Sequence, residues 1–150
     1  MVDRIADAWL ICRVQTRLCA LPLEHVIETL RPLPVEPVAG APPFVLGLAV
    51  IRGTPLPVID AARLLGADDA RTERFVTVMA GNRRVALAVD HVLGVRAVAP
   101  QSLHALPPLL HDADTDVIAA IGLLDAELLL VLRSTRLLPE DALPWAESPS

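Results

Sequence analysis

The sequence predicts a mainly β protein made of two small barrels packed together, and three observations carry that expectation. Short runs of Val, Ile and Leu are separated, roughly every eight to twelve residues, by turn formers, the pattern of a sandwich or barrel. The runs RFVTVMA and RRVALAVD alternate around Gly81-Asn82, a dipeptide that favours tight hairpin turns. Counting such runs gives roughly nine or ten strands and about three helical turns, too many for one small barrel and suited to two.

Taken in order, residues 9–14 and 18–21 read as a hairpin about Gln15, Thr16 and Arg17. A turn centred on Gln15-Thr16 sets Cys12 opposite Cys19, where a disulfide is geometrically conceivable. Two small thiols in an apolar cytosolic setting read as plain core residues. Pro22 can open a brief helix with Leu23, Val26, Ile27 and Leu30 at helical spacing and Glu24 near its positive end, although an irregular crossing also fits. Prolines then crowd residues 31–43, which read as an extended loop or a short edge strand.

Residues 44–51 form a strand interrupted at Gly47, and residues 54–60 its successor after a sharp turn at Arg52-Gly53. Pro55 and Pro57 confine the second of these to an edge or a bulged place. AARLL, ending at Gly66, reads as a short helix closed by glycine. After the Gly81-Asn82 hairpin, residues 91–98 continue as a strand, and the loop from there to Asp116 is long and mobile. A last hairpin turns at Asp125-Ala126-Glu127, one terminal helix is expected in RSTRLLPEDALP, and residues 140–150 are a frayed tail beyond a domain spanning 8–139.

Composition narrows the function classes. With 53% hydrophobic and 21% charged residues the chain is not disordered by low hydropathy. No apolar run approaches the roughly 18 residues of a membrane span, and the N-terminal run ends too soon at Arg13 for a signal peptide, which points to the cytoplasm. Net charge is −5 and no basic cluster exceeds Arg83-Arg84, which argues against nucleic acid as a partner.

Chemistry-bearing constellations are absent from the pattern. His25, His91, His104 and His111 stand far apart with no cysteine beside them, so no metal site or cofactor is expected. Paired carboxylates fall in loops, and there is no nucleophile elbow, phosphate loop or dinucleotide fingerprint. The informative residues are polar ones set among apolar strands: Glu28, Arg52, Asp60 and Asp90. Asp60 and Asp90, at strand ends, read as caps of the next turn or helix. Arg52 reads either as an exposed turn residue or as an interface residue.

The stretch APPFVLGLAVIRGTPLPVIDAARLLG resembles the CheW domain, and so do CALPLEHVIETLRPLP and RVALAVDHVLGVRAV, in the same order and over about residues 8–139. The resemblance implies two five-stranded barrels similar to Src-homology-3 barrels, a hydrophobic groove between them, and no catalysis. It implies a scaffold recruited to membrane receptor arrays, binding the cytoplasmic tip of chemoreceptors and the regulatory domain of a CheA-type histidine kinase. Residue by residue, Val26 and Glu28 match partner-surface positions, Gly47 and Arg52 match the family's glycine and RG arginine, and Val50, Val89 and Val92 line the groove. Many members carry Asn where Val50 stands, and their glycine-rich first turn is here Gln15-Thr16-Arg17, departures that bear on partner choice. Three other readings stand beside it: an adaptor of a non-chemotactic system (surface motility, development or biofilm control), a small-ligand barrel, and a barrel enzyme using Arg52 with Asp60 or Asp90.

Overall fold

A computed structural model describes residues 8–67, 71–105 and 117–137. Ten strands and one short helix follow in order: β1 (Ala8–Val14), β2 (Arg17–Pro22), β3 (Val26–Leu30), β4 (Val45–Ile51), β5 (Thr54–Asp60), α1 (Ala61–Leu64), β6 (Arg74–Ala80), β7 (Arg83–Val89), β8 (His91–Ala97), β9 (Ile118–Leu124) and β10 (Glu127–Leu132). Single 3-10 turns lie at Leu23–His25, Pro100–Ser102 and Ser134–Arg136.

The strands form two five-stranded sheets, ordered β8-β1-β2-β10-β9 (lobe 1) and β3-β6-β7-β5-β4 (lobe 2). Each sheet wraps an interior of its own. In lobe 2, side chains from all five strands, among them Leu30, Ile51, Val58, Phe75 and Ala86, meet in one cluster. In lobe 1 the corresponding cluster holds Ile11, Leu18, Ala20, Leu129 and Val131. The expected barrels are thus curled sheets, with no ladder joining edge strands β8 to β9 or β3 to β4 among the described residues.

The largest apolar cluster lies between the lobes. Strand alternation sends Leu10, Cys12, Val14, Cys19 and Leu21 out of lobe 1 to meet Ile59, Val76, Val78, Val85, Leu87 and Val89 from lobe 2. β7 is therefore buried on both faces, Val85, Leu87 and Val89 toward lobe 1 and Ala86 and Ala88 toward the interior of lobe 2. Polar ties cross the same boundary: Arg17 Nη1 donates to the Leu65 carbonyl at 2.8 Å and the Asp90 amide to the Arg13 carbonyl at 3.0 Å.

The two sheets share one topology, cyclically permuted. In each, an edge strand pairs with the first strand of a hairpin, whose second strand runs parallel to the second strand of another hairpin. Thus β3 to β7 correspond to β8, β9, β10, β1 and β2. Matching irregularities confirm the alignment: bulges fall at Ile27 and Leu93 in the edge strands, and at Leu46 and Ala119 six residues before each hairpin turn. Isolated bridges Glu36↔Leu48 and His104↔Ile121 fall at matching places too.

Several expectations hold. Cys12 faces Cys19 in register, both buried and free, and burial pushes both thiols up to about 12. Asp60 caps α1, accepting from the amides of Ala62 at 3.1 Å and Arg63 at 3.4 Å, and Gly66 follows with φ +90°. Two expectations need correction. The helix from Pro22 stops at His25; Val26, Ile27 and Leu30 continue as β3, because β-branched Val26, Ile27 and Thr29 favour extended backbone and Val26, Glu28, Thr29 and Leu30 pair with β6. β5 is not an edge strand: it lies between β4 and β7, and its prolines are tolerated because the β7 ladder begins only at Val58. The residues 106–116, most of the terminal helix, and the tail lie outside the described residues.

Candidate functional site

Each curled sheet leaves a seam between its edge strands, and in lobe 2 the seam is bridged by Arg52 and Glu28. Arg52 and Gly53 turn β4 into β5 with φ +55° and +79°, which aims the Arg52 side chain back over edge strand β3. Its guanidinium forks onto the carboxylate, Nε to Oε2 at 3.0 Å and Nη2 to Oε1 at 2.7 Å. The planar five-donor fork of arginine suits this two-point contact in a way that lysine does not. The arginine hydrogen bonds hold the Glu28 carboxyl below its ordinary value, and the carboxylate raises the guanidinium in turn.

The pair is unequal in exposure. The Arg52 side chain is 74% exposed and that of Glu28 25%, so the carboxylate is the seated half and the guanidinium faces outward. Glu28 is held from beneath as well, because the buried Thr77 hydroxyl donates to its carbonyl at 3.3 Å. Beside them Val50, 64% exposed, stands two residues before Arg52 and opposite Pro55 at the tip of the hairpin.

The other predicted site residues fall into two groups. Val26 and Val92 occupy corresponding places in the two lobes, opposite Val78 and Cys12, and both are half-buried against the inter-lobe cluster. They mark its margin. Gly47 and Val89 are buried. Val89, expected on the groove surface, is 1% exposed inside the inter-lobe cluster, because β7 is central and covered on both faces. Gly47 does permit close backbone approach, but to its own chain: at φ +147° a Cβ would collide with the Glu36 carbonyl and lie 2.9 Å from the Pro37 Cα.

Asp60 and Asp90 do not converge with Arg52. Asp60 is spent on its cap, with Arg63 Nε 3.6 Å away, and no described group of three His, Cys, Asp or Glu side chains converges as a metal site would need. The arrangement offers an outward guanidinium, a seated carboxylate and a neighbouring apolar tip, the components of a docking face.

Lobe 1 carries a counterpart that the sequence reading missed. Arg96 of β8 forks onto Asp125 of the β9–β10 turn, Nη1 to Oδ2 at 3.1 Å and Nη2 to Oδ1 at 3.3 Å. Leu123 and Leu128, 69% and 55% exposed, face each other beside it. The available signal was the turn itself, which the sequence does show at Asp125-Ala126, together with a bulky apolar residue two places before it, as Val50 precedes Arg52.

The family model of the CheW-like domain matches residues 8–142. Protein FrzA of Myxococcus xanthus is 36% identical over 105 residues, a stretch that is 67% of this chain and 64%, a little under two thirds, of FrzA. Chemotaxis protein CheW of Rhizobium meliloti (strain 1021) is 26% identical over 111 residues, 72% of each chain. The crystal structure of the scaffolding protein TtCheW from Thermoanaerobacter tengcongensis aligns with a TM-score of 0.80 at 21% identity, covering 91% of this chain and 95% of that one, a likeness of fold.

Proposed function

The chain belongs to the CheW-like domain family, whose members are adaptors of chemosensory signalling, and on that premise we propose that it couples chemoreceptors to a CheA-type histidine kinase. It does so without chemistry of its own, as a cytoplasmic scaffold recruited to receptor arrays. The observation that carries this reading is the lobe 2 seam, where an outward Arg52 seated on Glu28 stands beside exposed Val50.

Val26, Glu28, Val50, Arg52 and Val92 are the proposed contact residues. Gly47 and Val89 act from behind, the first by letting residues 36–37 close over β4 and the second by filling the core beneath the margin. Arg52 offers remaining donors to a partner carboxylate or carbonyl, while Val50 and Val26 lose water on docking.

Retention of a CheA-type kinase and a chemoreceptor by the purified chain, from a lysate of its own cells and identified by mass spectrometry, is the expected result. It also names the circuit, flagellar or otherwise. Arg52→Ala is expected to weaken retention about tenfold or more, the cost of truncating an anchor, with the melting temperature little changed. Retention of neither protein by folded chain overturns the proposal, and a large loss of melting temperature in Arg52→Ala reassigns Arg52 to structure.

A further inference from the structure

The chain crosses from lobe 1 to lobe 2 through the 3-10 turn Leu23–His25, and edge strand β3 begins at the next residue, Val26. The ladder to β6 holds that start poorly. Val26 faces Val78, but the bulge at Ile27 separates this pair from Glu28↔Thr77, Thr29↔Val76 and Leu30↔Phe75. A bulge leaves one residue unpaired and bends the strand, so the run from Glu28 onward does not by itself fix where Val26 lies. A second anchor comes from beyond β10. The Ser134 hydroxyl stands 2.7 Å from His25 Nδ1, across 109 residues of sequence.

Ser134 is the fixed member of the pair. It is buried at 3% exposure, and its carbonyl accepts from the amide of Leu137, which is fully buried in the inter-lobe cluster. The residue before it, Arg133, donates its amide to the Val117 carbonyl at 2.6 Å. The turn Ser134–Arg136 packs on β6, and so does the turn Leu23–His25. His25 is the more exposed member, with Nε2 3.7 Å from the Glu24 carboxylate. A proton on Nε2 faces that carboxylate, which leaves Nδ1 to accept from the Ser134 hydroxyl. Stripping a buried hydroxyl of its partner costs more than the bond contributes, so the pair stays closed.

We infer that His25 and Ser134 are positioning residues: the bond between them sets where β3 starts, and so where Val26 stands at the margin of the inter-lobe cluster. The inference rests on the proposed function in one respect, that Val26 is a contact residue. Ser134 itself is too buried to meet a partner and acts only through His25 and Val26. The matching start of β8 is held differently, by the Asp90 amide donating to the Arg13 carbonyl beside the Arg13↔His91 pair. That tie is backbone and indifferent to side chains. The tie at β3 depends on two particular side chains, so substitutions there tune partner affinity without altering the docking face.

The test joins amide exchange of the full chain, free of partners, to retention of kinase and receptor. The Val26 amide donates to the Leu23 carbonyl, so its exchange reports opening of the turn that carries His25. Ser134→Ala and His25→Ala break the bond; His25→Asn is the conservative variant, with an amide that reaches the place of Nδ1, and thermal melts check that each is folded. Each alanine variant is expected to speed Val26 exchange about fivefold, the net contribution of one hydrogen bond, with β7 amides unchanged. His25→Asn is expected to restore the wild-type rate, and Ser134→Ala to shift the ring nitrogen resonances of His25. Affinity for kinase and receptor is expected to fall about as much in Ser134→Ala, through the same displaced Val26. Unchanged Val26 exchange in the alanine variants, an equal rise across β6 and β7, an asparagine variant as fast as His25→Ala, or faster Val26 exchange with undiminished affinity overturns the inference. Wild-type chain that retains neither protein strikes the proposed function instead, and the exchange pattern still judges the tie.

Discussion

Arg52 is committed twice, through a left-handed backbone that begins the β4–β5 turn and through a guanidinium that closes the seam onto Glu28. The pH dependence follows from the carboxylate. Because Arg52 holds the Glu28 carboxyl below its ordinary value, the fork favours the folded state at neutral pH, and that contribution declines as pH falls through the ordinary glutamate range and is lost below the depressed value. Asp125 is lowered by Arg96 in the same sense. Glu28→Gln is therefore expected to flatten part of the acid limb of a melting temperature against pH profile; superimposable limbs would mean that the fork adds nothing to folding. Gly47 makes the other residue-scale prediction. Gly47→Ala places a Cβ against the Glu36 carbonyl at a φ of +147°, and a loss of about 2 kcal/mol or more is expected in urea unfolding, with release of the bridge to Leu48 visible in amide exchange. Of these residues the sequence reading singled out Glu28, Arg52 and Gly47, but it could not join the first two, because they are 24 residues apart and their meeting depends on how the sheet curls.

Among the elements, hairpins were the most legible. Gly81-Asn82, Arg52-Gly53 and Asp125-Ala126 all turn where the runs of apolar residues break, because turn chemistry and period-two alternation act over a few residues. The β9–β10 turn carries strain that its counterpart avoids: Ala126 sits at φ +69°, where the matching residue of the β4–β5 turn is glycine. Ala126→Gly is expected to stabilise the protein by about 1 kcal/mol, read as a higher urea midpoint at unchanged slope. A lower midpoint would mean that the entropy glycine gains on unfolding outweighs the strain it relieves. β3 was the least legible element. Leu23, Val26, Ile27 and Leu30 satisfy helical spacing, yet the strand wins because β6 offers a ladder from Val78 to Phe75 that a short helix there could not use.

At the scale of the whole molecule, the inter-lobe cluster joins two curled sheets into one packed body. Leu87 is fully buried within it, between lobes and not inside one of them, so its loss should be felt by both. Leu87→Asp buries an unpaired charge and is expected to abolish folding. The milder Leu87→Ala is expected to cost about 2–5 kcal/mol, with both lobes melting in one transition by fluorescence and by amide exchange. Loss of lobe 2 protection with lobe 1 intact would show instead that the lobes fold independently.

Strand runs other than β3, turn positions, the Asp60 cap and the facing cysteines were all determined by the sequence itself, because each is a local matter of alternation, capping or two-residue turns. The permuted repeat, the double burial of β7 and the two charge-exchanged seams were decided only by the tertiary structure. The repeat shares a pattern of polarity and bulges, not residues, and its second copy is divided between β1–β2 and β8–β10, so no run along the chain displays it. Arg96 and Asp125 lie 29 residues apart and meet only once the parallel pairing of β2 with β10 has closed lobe 1 across almost the full described length of the chain. Pairing at that separation is selected by the burial of whole faces against one another, a sum over many residues that no local segment encodes.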